Sequence, residues 1–146
     1  MYQREDAGMR IQVINNSGSP LQYATDGSAG IDLPTGYLYE CGDFYYRYNT
    51  GVQVAIPEGH VGLLIPRSSL HQRGWALANQ VGVIDSDYRG SIKLVIYKTR
   101  DDAEFLNSYD RPVQLVIVPY QRVEIEEVDQ LPETARGSGG FGSTRR

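Results

Sequence analysis

Apolar and polar residues alternate with a period of two along much of this chain. Val52, Val54 and Ile56 are interleaved with Gln53 and Ala55 before Pro57-Glu58-Gly59 turns the chain. His60–Pro66 forms a second short run, and Ser91–Lys98 a third with Ile92, Leu94 and Ile96 on one side. Pro112–Glu127 reads as a longer extended segment with Val113, Leu115 and Ile117 in register. Such alternation sends neighbouring side chains to opposite faces of a sheet. Turn-forming residues punctuate the chain at Asn15–Pro20, Thr25–Gly30, Asp85–Gly90 and Tyr109–Pro112. A helical period is nowhere sustained beyond about two turns. The best helix candidate starts at Ser68, where a serine suits the first turn as a cap. Many short strands with regular turns predict an all-β domain, a jelly-roll-like β-barrel, over residues 1–130. Residues 131–146 differ: RGSGGFGSTRR carries one aromatic, Phe141, among glycines and small serines. That composition cannot build a core element and predicts a flexible arm.

The 146 residues suffice for one domain with its own core. A net charge of −4 and a pI near 5.1 argue against a nucleic-acid partner, which needs a basic face. Any phosphate site must therefore be local. The single cysteine, Cys41, excludes an internal disulfide and a Cys-cluster zinc site. Apolar runs are too short for a membrane span. The N-terminus MYQREDAGMR lacks an apolar signal region, so a cytoplasmic location is expected.

Five segments carry candidate chemistry. In ATDGSAGIDL, Asp32 lies between Ile31 and Leu33, so it faces away from both and is either solvated or holding something cationic. In PRSSL, Arg67 precedes Ser68 and Ser69 at a helix start, where free N–H groups and a forked guanidinium favour an anion. NQVGVIDSDYRG runs from Asn79 through Val81, Gly82 and Val83 into Asp85-Ser86-Asp87, which predicts a hairpin turn. There Asp85 is a candidate base, and Tyr88 a surface for a flat or ring-shaped group. The duller reading is a turn whose acids only satisfy its own backbone. In DRPVQLV, Gln114 interrupts an apolar strand, and a buried amide needs a partner, either a phosphate, a water or a structural hydrogen bond. The arm matches G-x-G-x-x-G at Gly137, Gly139 and Gly142, but no strand precedes it and four residues follow, so a dinucleotide fold is excluded. A mobile chain with Arg136, Phe141, Ser143 and Thr144 instead suits closure over a nucleotide.

In this order, the five segments resemble the motifs of the trimeric dUTPase family, with VGVIDSDYRG and RGSGGFGST the most specific. The resemblance implies a homotrimer with active sites shared between subunits. Its reaction is hydrolysis of dUTP to dUMP and pyrophosphate with Mg2+, which limits uracil in DNA and supplies dUMP for dTMP synthesis. By that resemblance Asp85 activates the attacking water and meets the sugar 3′-hydroxyl, and Tyr88 packs on deoxyribose. Asn79 and the backbone of Val81, Gly82 and Val83 read uracil. Arg67, Ser68, Ser69 and Gln114 meet phosphates, and Asp32 holds magnesium through its water shell. In the arm, Arg136 meets the γ-phosphate, Phe141 stacks on uracil, and Gly142, Ser143 and Thr144 cover the phosphates. Some phage members of the family are thought to have a further protein partner. The tyrosines of Tyr37–Tyr48 are either a surface for one or, the simpler reading, aromatic strand residues.

Departures are few. The second segment has Ser69 where the family more often has glycine, and Pro34-Thr35 replace Arg-Ala after the first. Arg145-Arg146 stand where glycine often follows the Ser-Thr pair. Arg-Ser-Ser-Leu also resembles the dCTP deaminases, which share the fold but need a glutamate proton shuttle. Val95 stands at that glutamate's position, and valine moves no protons.

Overall fold

The computed structural model describes residues 8–142. Within them the chain forms β1 (Gln12–Asn15), β2 (Gln22–Tyr23), β3 (Ile31–Leu33), β4 (Tyr37–Cys41), β5 (Tyr45–Asn49), β6 (Val52–Ala55) and β7 (His60–Pro66). The helix α1 (Ser68–Gln72) follows, then β8 (Trp75–Leu77), β9 (Gly82–Ile84), β10 (Lys93–Lys98) and β11 (Val113–Pro119). The ladders sort into a five-stranded sheet β2-β3-β11-β7-β9, a four-stranded sheet β4-β5-β10-β8, and the pair β1-β6. All-β architecture with jelly-roll-like layering is what the alternation predicted.

The inward residues of these layers form one core. Leu33, Leu64, Val113 and Leu115 of the larger sheet pack in a cluster with Tyr48, Trp75, Leu77, Leu94 and Ile96 of the smaller. Val52, Val54 and Ile56 join it from β6 and its end. The predicted alternating positions of three strands are thus the buried ones, except Ile117, which is partly buried against the core. Tyr48 is 1% exposed, its hydroxyl donates to the Leu106 carbonyl at 3.3 Å, and burial pushes its pKa up to about 12.

Three local expectations are corrected. First, Ser68 does not cap the helix: Arg67 is the cap residue, extended at φ −79° and ψ 153°, and no side chain bonds the first turn. Its N–H donates to the Pro112 carbonyl at 2.8 Å, which keeps Arg67 on the sheet and makes Ser68 the first helical residue. Second, the extended run from Pro112 ends as a strand at Pro119 and does not reach Glu127. Pro119 pairs with His60, the first residue of β7, and beyond it the partner chain turns away through Gly59. Third, Asp85-Ser86-Asp87 is a turn, with the Tyr88 N–H on the Asp85 carbonyl at 3.1 Å, but it closes no hairpin. β9 pairs with β7 in one sheet, while the next strand, β10, pairs with β5 and β8 in the other. The turn is a crossover between sheets. Among the described residues no helix is long and apolar enough to cross a membrane.

Leu94 is fully buried as the second residue of β10. Leu94→Ala should cost about 2–5 kcal/mol, the usual penalty for a large-to-small change in a close-packed core. Urea unfolding measures it, and a loss well under 1 kcal/mol would mean the two sheets do not meet at that residue.

Candidate active site

The register of the five-stranded sheet brings residues from three segments together. Gln114 on β11 lies opposite Asp32 on β3 and opposite Ile65 on β7. Arg67 follows β7 directly, so its side chain reaches back over the same strand ends. Its Nη1 lies 3.3 Å from Asp32 Oδ2 and donates to the Arg111 carbonyl at 3.0 Å. Asp32 is buried at 5% exposure, which decides between the two readings of that acid. It holds a cation, and the cation is Arg67. Gln114 is half-buried against Gly30, where a Cβ would come within 2.5 Å of Gln114 Oε1 and 2.9 Å of its Cβ. Glycine is needed there to admit the amide.

Arg67 and half-buried Ser69 line a cavity of about 280 Å3 with Leu70, Arg73, Asp110 and Arg111. Ser68 is exposed beside it. Arg111 and Arg73 were missed in the sequence. Arg111 Nη1 donates to the Asp32 carbonyl at 3.2 Å, and its Nη2 donates to Pro20 O at 2.6 Å and Ser19 Oγ at 3.0 Å. Arg73 Nη1 pairs with Asp110 Oδ2 at 2.9 Å. Arg111 was legible as the cation beside the proline of the fourth segment; Arg73 carried no signal beyond its place at a helix end.

The third segment lies elsewhere. Ile84 pairs with Gly62 near the start of β7, so Asp85 continues toward the end of the strand opposite Arg67. Six residues of β7 separate those levels, roughly 20 Å at about 3.3 Å per residue. Asp85 is exposed and lines a separate cavity of about 570 Å3 with Glu58, His60, Asp87, Arg89 and Arg122. Asn79, Val81 and Val83 are exposed and Gly82 is buried in the ladder against Leu64. The turn before β9 holds Gln80 at φ 57°, an uncommon conformation for a residue with a Cβ. Tyr88 is 41% exposed, and its hydroxyl donates to the Ser91 carbonyl at 3.0 Å.

The described residues of the arm line neither cavity. Phe141 and Gly142 are fully exposed, and Arg136 Nε donates within its own turn to Gly139 O at 2.8 Å. Ser143 and Thr144 lie outside the described residues. Among the described residues there is no group of three or more His, Cys, Asp or Glu placed to hold a metal directly. Val95 is half-buried on β10 opposite Arg47, with no carboxylate at its position.

The protein is therefore a small all-β domain with an arginine-lined cavity at one end of a sheet, an acid-bearing crossover at the other, and a glycine-rich terminus. The dUTPase family profile matches residues 16–145, and the chain belongs to that family. It is 38% identical over 144 residues to the deoxyuridine 5′-triphosphate nucleotidohydrolase of Finegoldia magna, covering 93% of this chain and 99% of that protein. It is 42% identical over 135 residues to that of Ralstonia nicotianae, covering 86% and 88%. The fold is similar to the Staphylococcus bacteriophage 80alpha dUTPase bound to dUpNHpp, with a TM-score of 0.76 at 25% identity, covering 92% of this chain and 98% of that one.

Asp32→Ala removes the partner of Arg67. Because the Arg67 side chain is about a third exposed and can turn to solvent, the loss should be about 1–2 kcal/mol, below the 3–5 of a fully buried pair. Denaturant titration checks this; a neutral result would mean the pair does not hold Arg67.

Proposed function

We propose that this chain hydrolyses dUTP to dUMP and pyrophosphate, limiting uracil in DNA and supplying dUMP for dTMP synthesis. The observation that carries the reading is the pairing of an exposed acid-and-tyrosine turn, Asp85–Tyr88, with the Arg67–Asp32–Gln114 cluster in a chain of this family. Asp85 is the base: it is open to solvent, where it can take a proton from water lined up behind the α-phosphorus. Tyr88 packs on deoxyribose and leaves no room for a 2′-hydroxyl. Asn79 and the backbone of Val81, Gly82 and Val83 read the uracil edge as a pairing base would.

The phosphates lie on Arg67, Ser68, Ser69 and Gln114. Since Asp85 and Arg67 sit at opposite ends of β7, one copy does not place both on a single triphosphate. A homotrimer with sites shared between subunits resolves this. Exposure of Val123 (73%), Ile125 (85%) and Leu131 (82%) along the chain after β11 supports such an assembly, because a lone subunit leaves them in water. The residues from 131 on form the arm that closes over the bound nucleotide, with Arg136 on the γ-phosphate, Phe141 on uracil, and Gly142, Ser143 and Thr144 over the phosphates.

Mg2+ fits the donor set in one form. Asp32 has Oδ2 committed to Arg67, so its other oxygen would be the one to hold a hydrated ion through a water. When bound, the ion neutralises phosphate charge and holds the triphosphate in shape. We place the enzyme in the cytoplasm. A second reading adds a protein partner. The exposed aromatics Tyr37, Tyr39 and Phe44 favour it, and so does the phage 80alpha dUTPase, described as controlling transfer of virulence genes. Phe44→Ser with Tyr39→Ser should then lose the partner and keep turnover; loss of turnover would remove the distinction.

Pyrophosphate release with dUTP, dCTP, dTTP and UTP, with and without magnesium, tests the reaction. Selective, magnesium-dependent turnover of dUTP is expected, and equal turnover of dCTP would overturn it. Asp85→Asn should abolish turnover while binding persists. Truncation of residues 137–146 should cost activity far more than melting temperature; normal turnover by the truncated chain would remove the arm from the mechanism. Inactive Asp85→Asn and Arg67→Ala chains, refolded together, should regain activity if sites are shared. Continued inactivity of the mixture would place each site within one subunit.

A further inference from the structure

The position of the Tyr88 ring is set by its neighbours on the crossover, and one of them has no side chain. A Cβ built at Gly90 would lie 2.6 Å from Tyr88 Cζ and 2.9 Å from Cε2, closer than real contacts allow. The hydroxyl end of the ring, which comes nearest of all, therefore lies over Gly90, in space any other residue would fill. From there its hydroxyl reaches the Ser91 carbonyl. The loop beneath is itself anchored, because Ser91 Oγ donates to Asn49 Oδ1, and the Asn49 amide donates to the Tyr37 hydroxyl at 3.0 Å. On the other side, Arg89 Nη1 donates to Ser86 O at 2.6 Å and to Tyr88 O at 3.2 Å, which holds the turn that carries the ring.

Gly90 is not one of the residues with positive φ, so its backbone conformation does not itself demand glycine. The constraint comes from the ring alone. Tyr88 is 41% exposed, so a Cβ at position 90 would be accommodated by swinging the ring outward and breaking its bond to Ser91, leaving the core untouched.

We propose that Gly90 is a positioning residue for sugar discrimination: by carrying no side chain it lets the hydroxyl end of Tyr88 settle over it, which holds the ring where it excludes a ribose 2′-hydroxyl. This rests on the role given to Tyr88 above. The residue acts through Tyr88 and touches no reacting atom. A displaced ring opens the space at the 2′-carbon, so the rejected substrate gains more than the accepted one.

The test compares kcat/KM for dUTP and UTP in the wild type, Gly90→Ala, Tyr88→Ala and the double variant. Gly90→Ala should lower the dUTP-to-UTP ratio by about tenfold or more, the scale on which steric exclusion of a small group operates. Tyr88→Ala should lower it similarly, and the double variant should be no worse than Tyr88→Ala. If Gly90→Ala also lowers the melting temperature, the double variant should recover it, since the ring it collides with is gone. A wild-type ratio in Gly90→Ala, with relaxed discrimination in Tyr88→Ala, would overturn the role of Gly90 and leave that of Tyr88. An unchanged ratio in Tyr88→Ala would overturn Tyr88 first and Gly90 with it. A stability loss that the double variant does not recover would show that the collision is with something other than the ring.

Discussion

Seven consecutive residue pairs join β11 to β7, from Val113–Pro66 to Pro119–His60. The other pairings that shape the site are referred to that ladder. β3 lies on the opposite edge of β11, so Asp32 and Gln114 face each other, and β9 lies on the opposite edge of β7, so Gly82 and Ile84 take fixed levels. A slip of one residue would exchange the faces of β11, burying Gln114 and exposing Leu115. The core and the candidate site are thus two consequences of one register. The inward residues of the ladder make the core, and the chain segments leaving its ends carry the chemistry.

Those ends are where the functional groups separate. Arg67 leaves β7 at one end as the last extended residue before α1, and Asp85 leaves β9 at the level of the other. A rigid sheet cannot bend to bring them together, so in the proposed site a triphosphate would draw groups from more than one copy. Assembly is then part of the mechanism in the trimeric reading. The exposed apolar residues beyond β11 and the glycine-rich terminus have the same logic, since neither has a partner within the described chain. Arg67 meanwhile is held by Asp32, which sets its position and, in the role proposed for it, would lower the ordering cost of binding a phosphate.

Backbone shape does as much as side chains on this surface. Gly30 admits the Gln114 amide, and Gly90 admits the Tyr88 ring, each at a distance a Cβ would forbid. In both cases a polar or aromatic group is aimed by the absence of an atom next to it. The same economy explains why the crossover from β9 to β10 can be short and exposed yet hold its ring in place. Arg89 and Ser91 bond it from both sides.

The alternation of Val52, Val54 and Ile56, of Leu94 and Ile96, and of Val113 and Leu115 was enough to predict an all-β chain and most of its core, because a half-buried strand must repeat every two residues. The ordered motifs were enough to predict the family, and Val95 to separate it from the deaminases, because those depend on residue identity alone. Three-dimensional pairing decided the rest. Whether Asp32 was solvated or paired depended on Arg67, 35 positions away in sequence, and on strand order. The end of β11 depended on where β7 begins. That Asp85–Asp87 crosses between sheets, where a hairpin was predicted, depended on which strand β10 found as a neighbour. The place of Tyr88 depended on the space that Gly90 leaves open by having no side chain. The first three are contacts between distant segments, and a local pattern carries no information about which distant segment will supply the partner; Tyr88 and Gly90 are two positions apart, and there only the path of the crossover decided where the ring lies.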